Sequence, residues 1–149
     1  MLVIYGGRRA RICSAGRVST AAPAAGKKEF FIWNTNASGT LVLRLDPPEE
    51  ICESITAAAR AENIALAEIS GIGAADSFTV GVYNTVTKEY RSNTLNGAYE
   101  IVSLTGTLTS KDGEPYLHLH FSAGDENGRV SGGYLNRAAV SATAEIITG

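Results

Sequence analysis

The 149-residue sequence predicts an α+β fold, a mostly antiparallel sheet of six or more strands with one main helix packed on it. Three observations lead there. One stretch alone, ending near Glu62, repeats apolar residues at helical spacing behind a capping signal. The other apolar segments are short, alternate with polar residues, and are punctuated by Asn, Asp and Gly turns. The length suffices for one compact domain with a proper core, and 44% hydrophobic against 19% charged residues is ordinary for such a domain.

Residues 1–28 read as a basic leader rich in Ala, Gly and Arg, and residues 29–149 as the folded domain. Glu29 to Trp33 and Thr40 to Leu45 read as strands around an Asn- and Gly-containing turn. The helix follows. Asp46 is the expected cap, Pro47 and Pro48 suit first helical positions, and Glu49 completes a D-x-x-E box. Ile51, Ile55, Ala58 and Ala59 form its apolar stripe, and Asn63 is a natural stop. Ile64 to Ile69 reads as a buried strand closed by Ser70-Gly71-Ile72-Gly73, a tight exit. Ser77 to Tyr83 alternates as a strand and turns through Asn84-Thr85-Val86-Thr87 into Lys88 to Ser92. Tyr99 to Thr109 is a long strand in which Gly106 marks a bulge or a close neighbour. Asp112-Gly113 turns into Pro115 to Ser122, and Asn127-Gly128 into Arg129 to Leu135. Ala138 to Ile147 is the last strand.

Charge is segregated. Arg8, Arg9, Arg11, Arg17, Lys27 and Lys28 give the leader +6 with no acid, while the remaining chain carries −8. An acidic body repels phosphate backbones and is a poor duplex-binding surface by itself. Three readings of the leader stand side by side: a weakly packed extension, an organellar targeting segment, and a nucleic-acid-contacting arm in which Arg8, Arg9 and Arg11 make the contact. No apolar run approaches the ~20 residues that span a bilayer, so no membrane partner is expected. Cys13 and Cys52 match no metal or redox spacing, which points to a reduced, cytoplasmic-type protein.

Side chains capable of chemistry gather in one place. His118 and His120 are two apart in a strand, so both imidazoles project from the same face, opposite Leu117, Leu119 and Phe121. Neutral imidazoles suit zinc and related divalent ions, although two ligands alone bind weakly. Sheet decoration is the competing reading. Gly132-Gly133 and Tyr134 come one hairpin later and can lie beside the pair. Ser122 shares the face, but no acid is placed to orient a base, so no nucleophile triad is expected and no catalytic residue is assigned. Glu145 lies further along the last strand, with nothing to fix its direction. Ser70-Gly71-Ile72-Gly73 lacks the third glycine and the following helix of a dinucleotide loop.

Several runs occur together in order: Arg44-Leu45-Asp46-Pro47, Ser70-Gly71-Ile72-Gly73-Ala74, Tyr99 to Gly106, Leu117-His118-Leu119-His120-Phe121-Ser122, Gly128 to Gly133, and Thr143-Ala144-Glu145-Ile146. Across Thr40 to Thr148 the chain resembles the plants-and-prokaryotes-conserved (PPC) domain, the PD1-like family of proteins associated with DNA binding. The resemblance implies an α+β homotrimer. It also implies DNA as a partner, through AT-hook segments in plant members, and in some members a metal held by His-x-His plus a histidine after the double glycine. This sequence departs twice. Tyr134 stands where that third histidine would be, and a phenol, with a reference pKa near 10, is a rare ligand. The AT-hook core Arg-Gly-Arg-Pro is absent; Gly6-Gly7-Arg8-Arg9-Ala10-Arg11 lacks both the proline and the glycine between arginines that a narrow minor groove demands. The expected function is that of a non-enzymatic, oligomerising, DNA-associated PPC protein, cytoplasmic or nucleoid-associated. The alternative is a metal- or small-molecule-binding module, with an enzyme as one form of it, on the His118, His120 and Tyr134 face, with Ser122, Gly132 and Gly133 lining its pocket.

Overall fold

The computed structural model describes the backbone of residues 31–35 and the chain from residue 39 to residue 149. The leader, with Arg8, Arg9 and Arg11, lies outside the described residues. Six strands and one helix follow in the order β1 (Phe31–Thr35), β2 (Thr40–Leu45), α1 (Ile51–Glu62), β3 (Ala67–Asn84), β4 (Glu89–Lys111), β5 (Glu114–Gly124) and β6 (Val130–Thr148). The sheet order is β1-β2-β6-β3-β4-β5, and β5 also pairs with β6, so the last four strands close on themselves. Every named pairing is antiparallel. This is the α+β, helix-on-antiparallel-sheet plan that the turn pairs and the single helical stripe predict.

Closure sorts the strand residues by face. Inward positions form one apolar core: Ile69, Leu104, Leu108, Leu119 and Ile146 are fully buried, and Phe78 sits among them with no exposure. Its ring meets Tyr99 edge-on at 5.0 Å and Phe121 at 5.0 Å, the geometry aromatic quadrupoles favour. Ile51, Ile55, Ala58 and Ala59 turn the apolar stripe of α1 into the same core, where Leu41, Leu43 and Leu45 of β2 are also buried.

The helix begins later than its capping signal suggests. Its cap is Glu50, whose carboxylate accepts from the Glu53 amide at 2.7 Å and from the Ala138 amide of β6 at 2.8 Å. Asp46 and Glu49 do pair: the Asp46 amide donates to Glu49 Oε2 (2.8 Å) and the Glu49 amide to the Asp46 carbonyl (2.9 Å). They close a turn ahead of the helix, and Pro47-Pro48, joined by a cis bond, lie within it. The reason is tertiary. The Val140 amide donates to the Glu49 carbonyl at 2.9 Å, which ties residue 49 to β6 and leaves Glu50 as the first residue free to enter the helix. Asn63 ends the helix with φ 56°, as the left-handed stop expected of asparagine.

Three strands are longer than predicted, because pairs of predicted strands are single ones. Ser70 to Gly73 is no exit: β3 runs straight through it, with register shifts between Gly71 and Gly73 and between Ala75 and Ser77. Gly73 is there for contact. A Cβ on it would collide with the Thr143 carbonyl and with Ala144 of β6. In β4, Asn93, Asn96 and Gly97 lie inside the strand because β3 supplies a partner along its length. Strand preference is set by cross-strand context more than by the residue itself. In β6 the predicted break after Leu135 is absorbed by a register shift between Thr79 and Val80 of its partner β3.

Candidate functional site

The site is a ladder of cross-strand pairs on the outer face of β4, β5 and β6. Along β5 the side chains alternate: Leu119 and Phe121 are buried, while His118 and His120 are exposed. Thr107 lies opposite His118. On the next rung Thr105 pairs with His120, and His120 with Tyr134. One rung further, Ser103 pairs with Ser122, and Ser122 with Gly132. Residues paired across an antiparallel ladder share a face, so these side chains converge.

The three predicted rings do come together. Their centroids are 5.5 Å apart for His118 and His120, 5.4 Å for His118 and Tyr134, and 6.3 Å for His120 and Tyr134. The Tyr134 hydroxyl donates to the Leu117 carbonyl at 3.3 Å. Burial, and next the Tyr116 phenol, push that hydroxyl above the ordinary tyrosine pKa, so Tyr134 keeps its proton. Among the described residues no three His, Cys, Asp or Glu side chains gather to hold a metal ion. The residues present therefore supply two imidazoles and a proton-bearing phenol, which falls short of the donor set a divalent ion needs. Glu145 is no third ligand: it lies opposite Arg44 and Ile72, eleven residues along β6 from Tyr134.

Beside the rings is an open hollow of about 250 Å³, walled by Ser103, Thr105, His120 and Ser122 and floored by the backbone around Phe121, Gly132 and Gly133. The double glycine makes it. A Cβ on Gly132 would strike the Phe121 carbonyl, and one on Gly133 would come within 2.7 Å of the Gly81 carbonyl. Small residues here let β6 lie tight between β5 and β3 while leaving space above. Ser103 and Thr105 were not singled out from sequence. Their signal is the polar alternation Ser103, Thr105, Thr107 against buried Leu104 and Leu108. On α1, half-buried Cys52 is a poor nucleophile: burial first, then the Glu50 and Glu53 carboxylates, pushes its thiol up to about 12.

A self-closing antiparallel sheet carrying one helix, with His-x-His on its outer face against a double glycine, defines a class of single-domain proteins. The chain belongs to one family in that class: the profile of the Plants and Prokaryotes Conserved (PCC) domain, also written PPC, matches residues 34–149. Solved structures agree. A PPC protein from Pyrococcus horikoshii is 33% identical with a TM-score of 0.69, covering 82% of each chain. A metal-containing protein from Archaeoglobus fulgidus is also 33% identical with a TM-score of 0.69, over 80% of this chain and 81% of that one. A candidate DNA-binding protein from Bacteroides thetaiotaomicron is 26% identical with a TM-score of 0.75, over 80% and 82%. A search among curated proteins finds no match. Among the described residues no helix is long and apolar enough to cross a membrane.

Proposed function

We propose that this chain is a non-enzymatic, DNA-associated PPC protein of the cytoplasm or nucleoid, in which the domain assembles a homotrimer and the basic leader contacts DNA. The observation that carries the reading is the charge segregation, +6 over residues 1–28 against −8 over the rest. The likeness to the Bacteroides candidate DNA-binding protein supports it. Three leaders on one trimer raise each other's effective concentration at a duplex. Binding that neutralises phosphates releases counterions, so log K falls with log salt at about −0.9 per phosphate contacted, or about −5 for one fully engaged leader. Duplex affinity of the full-length protein is expected to show that slope. Deleting residues 1–28 abolishes it, and changing Arg8, Arg9 and Arg11 together to Ala reduces it by about 3. Light scattering on the same samples should read three times the 15.6 kDa chain mass. Binding that ignores salt, or survives the deletion intact, overturns the leader's role; a monomer overturns the assembly.

A second reading has its own observation. Three rings packed within 6.3 Å beside an open hollow support a metal- or small-molecule-binding face at His118, His120 and Tyr134, with Ser122, Gly132 and Gly133. The metal-containing Archaeoglobus protein lends it weight. In its metal form, zinc or another divalent ion would sit between His118 and His120. Elemental analysis decides: the wild-type protein is expected to carry far less than one zinc per chain, and Tyr134→His to approach one per chain, a gain that His118→Ala removes. Stoichiometric zinc in the wild type would show that two imidazoles suffice.

A further inference from the structure

We propose that the hollow is a binding site for a small monocarboxylate, held by hydroxyl and imidazole donors instead of through a divalent metal. The proposal rests on the small-molecule reading of this face and names the ligand class for it.

The donors come first. Ser103 and Ser122 stand on one rung and Thr105 and His120 on the next, so three hydroxyls and one imidazole face a single volume of about 250 Å³. No Asp or Glu lines that volume; the nearest carboxylate on the ladder is Glu100, one rung beyond the serines at the alkyl end. None of these four side chains is engaged in a hydrogen bond with another described residue. Each keeps a donor for a ligand, and hydrogen bonds to an ionised acceptor are about twice as strong as neutral ones. The Tyr134 hydroxyl, by contrast, is spent on the Leu117 carbonyl.

The rim restricts the ligand further. One rung beyond Ser122, Gly124 pairs with Glu100 of β4 and Val130 of β6, and Val102, at the register shift of β4, comes beside it; the two valines are 57% and 58% exposed. A Cβ on Gly124 would sit 3.6 Å from Val102 and 3.9 Å from Val130, so the missing side chain leaves an apolar notch of methyl-group width. The proposed ligand would lay a short alkyl chain there with its carboxylate toward the serines one rung away. The volume lies below the roughly 300–1,000 Å³ of drug-sized sites, which keeps the ligand small. Phosphate meets the same hydroxyls but is disfavoured on two counts. No Lys or Arg lines the hollow to balance a dianion, and a phosphate leaves the valine notch empty.

The test uses full-length protein, free of added metal, titrated with butyrate, acetate and inorganic phosphate under amide-resolved NMR. Butyrate is expected to give saturable shifts confined to residues 103–105, 120–124 and 130–133. It should bind about three- to tenfold tighter than acetate, because of the added methylenes in the notch. Ser103→Ala with Ser122→Ala should weaken it about tenfold at unchanged thermal midpoint. Phosphate binding as well as butyrate at these residues, or butyrate binding only with zinc and lost to EDTA, overturns the carboxylate proposal and leaves the small-molecule face standing. No saturable shift at these residues with any probe, zinc present or absent, overturns both.

Discussion

Single side chains here act through what they leave unsaid to solvent or to a neighbour. Cys52 is the clearest case. Its thiol is pushed up to about 12 by burial and by Glu50 and Glu53, against an ordinary value of 9.0. At pH 8 the native thiolate fraction is therefore about a thousandfold below that of an unfolded cysteine. Peptide-resolved alkylation should label Cys52 about three orders of magnitude more slowly in native than in denatured protein; comparable rates would contradict the buried placement. The linkage has a definite sign. The folded pKa is raised, so the contribution to stability is complete below pH 9 and is lost as pH climbs from 9 toward 12. Cys52→Ala should flatten that alkaline decline. Tyr134 is the residue on which the proposed metal form of the face turns. The family resemblance implies a third histidine at this position, and the hydroxyl found there serves the Leu117 carbonyl. A sequence shows the exchange but not where the phenol's proton goes.

At the scale of elements, one carboxylate ties the start of α1 to the sheet. Glu50 is 6% exposed and satisfies the Glu53 amide on its own helix and the Ala138 amide on β6. Removing it deprives a helix of its cap and leaves a buried N–H without a partner, each costing about 1–2 kcal/mol. Glu50→Ala is expected to lower unfolding stability by about 2–4 kcal/mol in urea titrations, whereas Asp46→Ala, at the more obvious capping position, should cost under about 1 kcal/mol. The reverse ranking would return the cap to Asp46. The strands teach a related lesson. Gly106 reads correctly as a point of close approach, since a Cβ there would strike the His118 carbonyl. The ladder keeps register through it, so it is not a bulge. Gly73 looks like a terminator and is a contact. The local signal is the same in both cases, a glycine within a β pattern. What differs is which strand comes alongside.

For the whole molecule, the closure of β3 through β6 gives the domain a core inside and the candidate ligand ladder outside. The matched family region begins at residue 34, so deleting residues 1–28 should leave circular dichroism and the thermal midpoint unchanged while removing duplex affinity. Loss of fold in that deletion would mean the leader belongs to the domain. The acidic body and the basic leader thus divide the work proposed for them, assembly and ligand binding on one side and phosphate contact on the other.

The sequence by itself determined the fold class, the helix stripe, the turns at Asp112-Gly113 and Asn127-Gly128, and the shared face of His118 and His120. All of these follow from local periodicity and turn chemistry, which are written within a few residues. Tertiary structure alone decided that Ser103 and Thr105 stand beside the histidines, that Glu50 is the cap, and that six predicted strand segments fuse into three long ones. Those outcomes depend on which strand lies next to which. Pairing partners far apart along the chain carry no mark in either segment, and only closure of the sheet brings them into register.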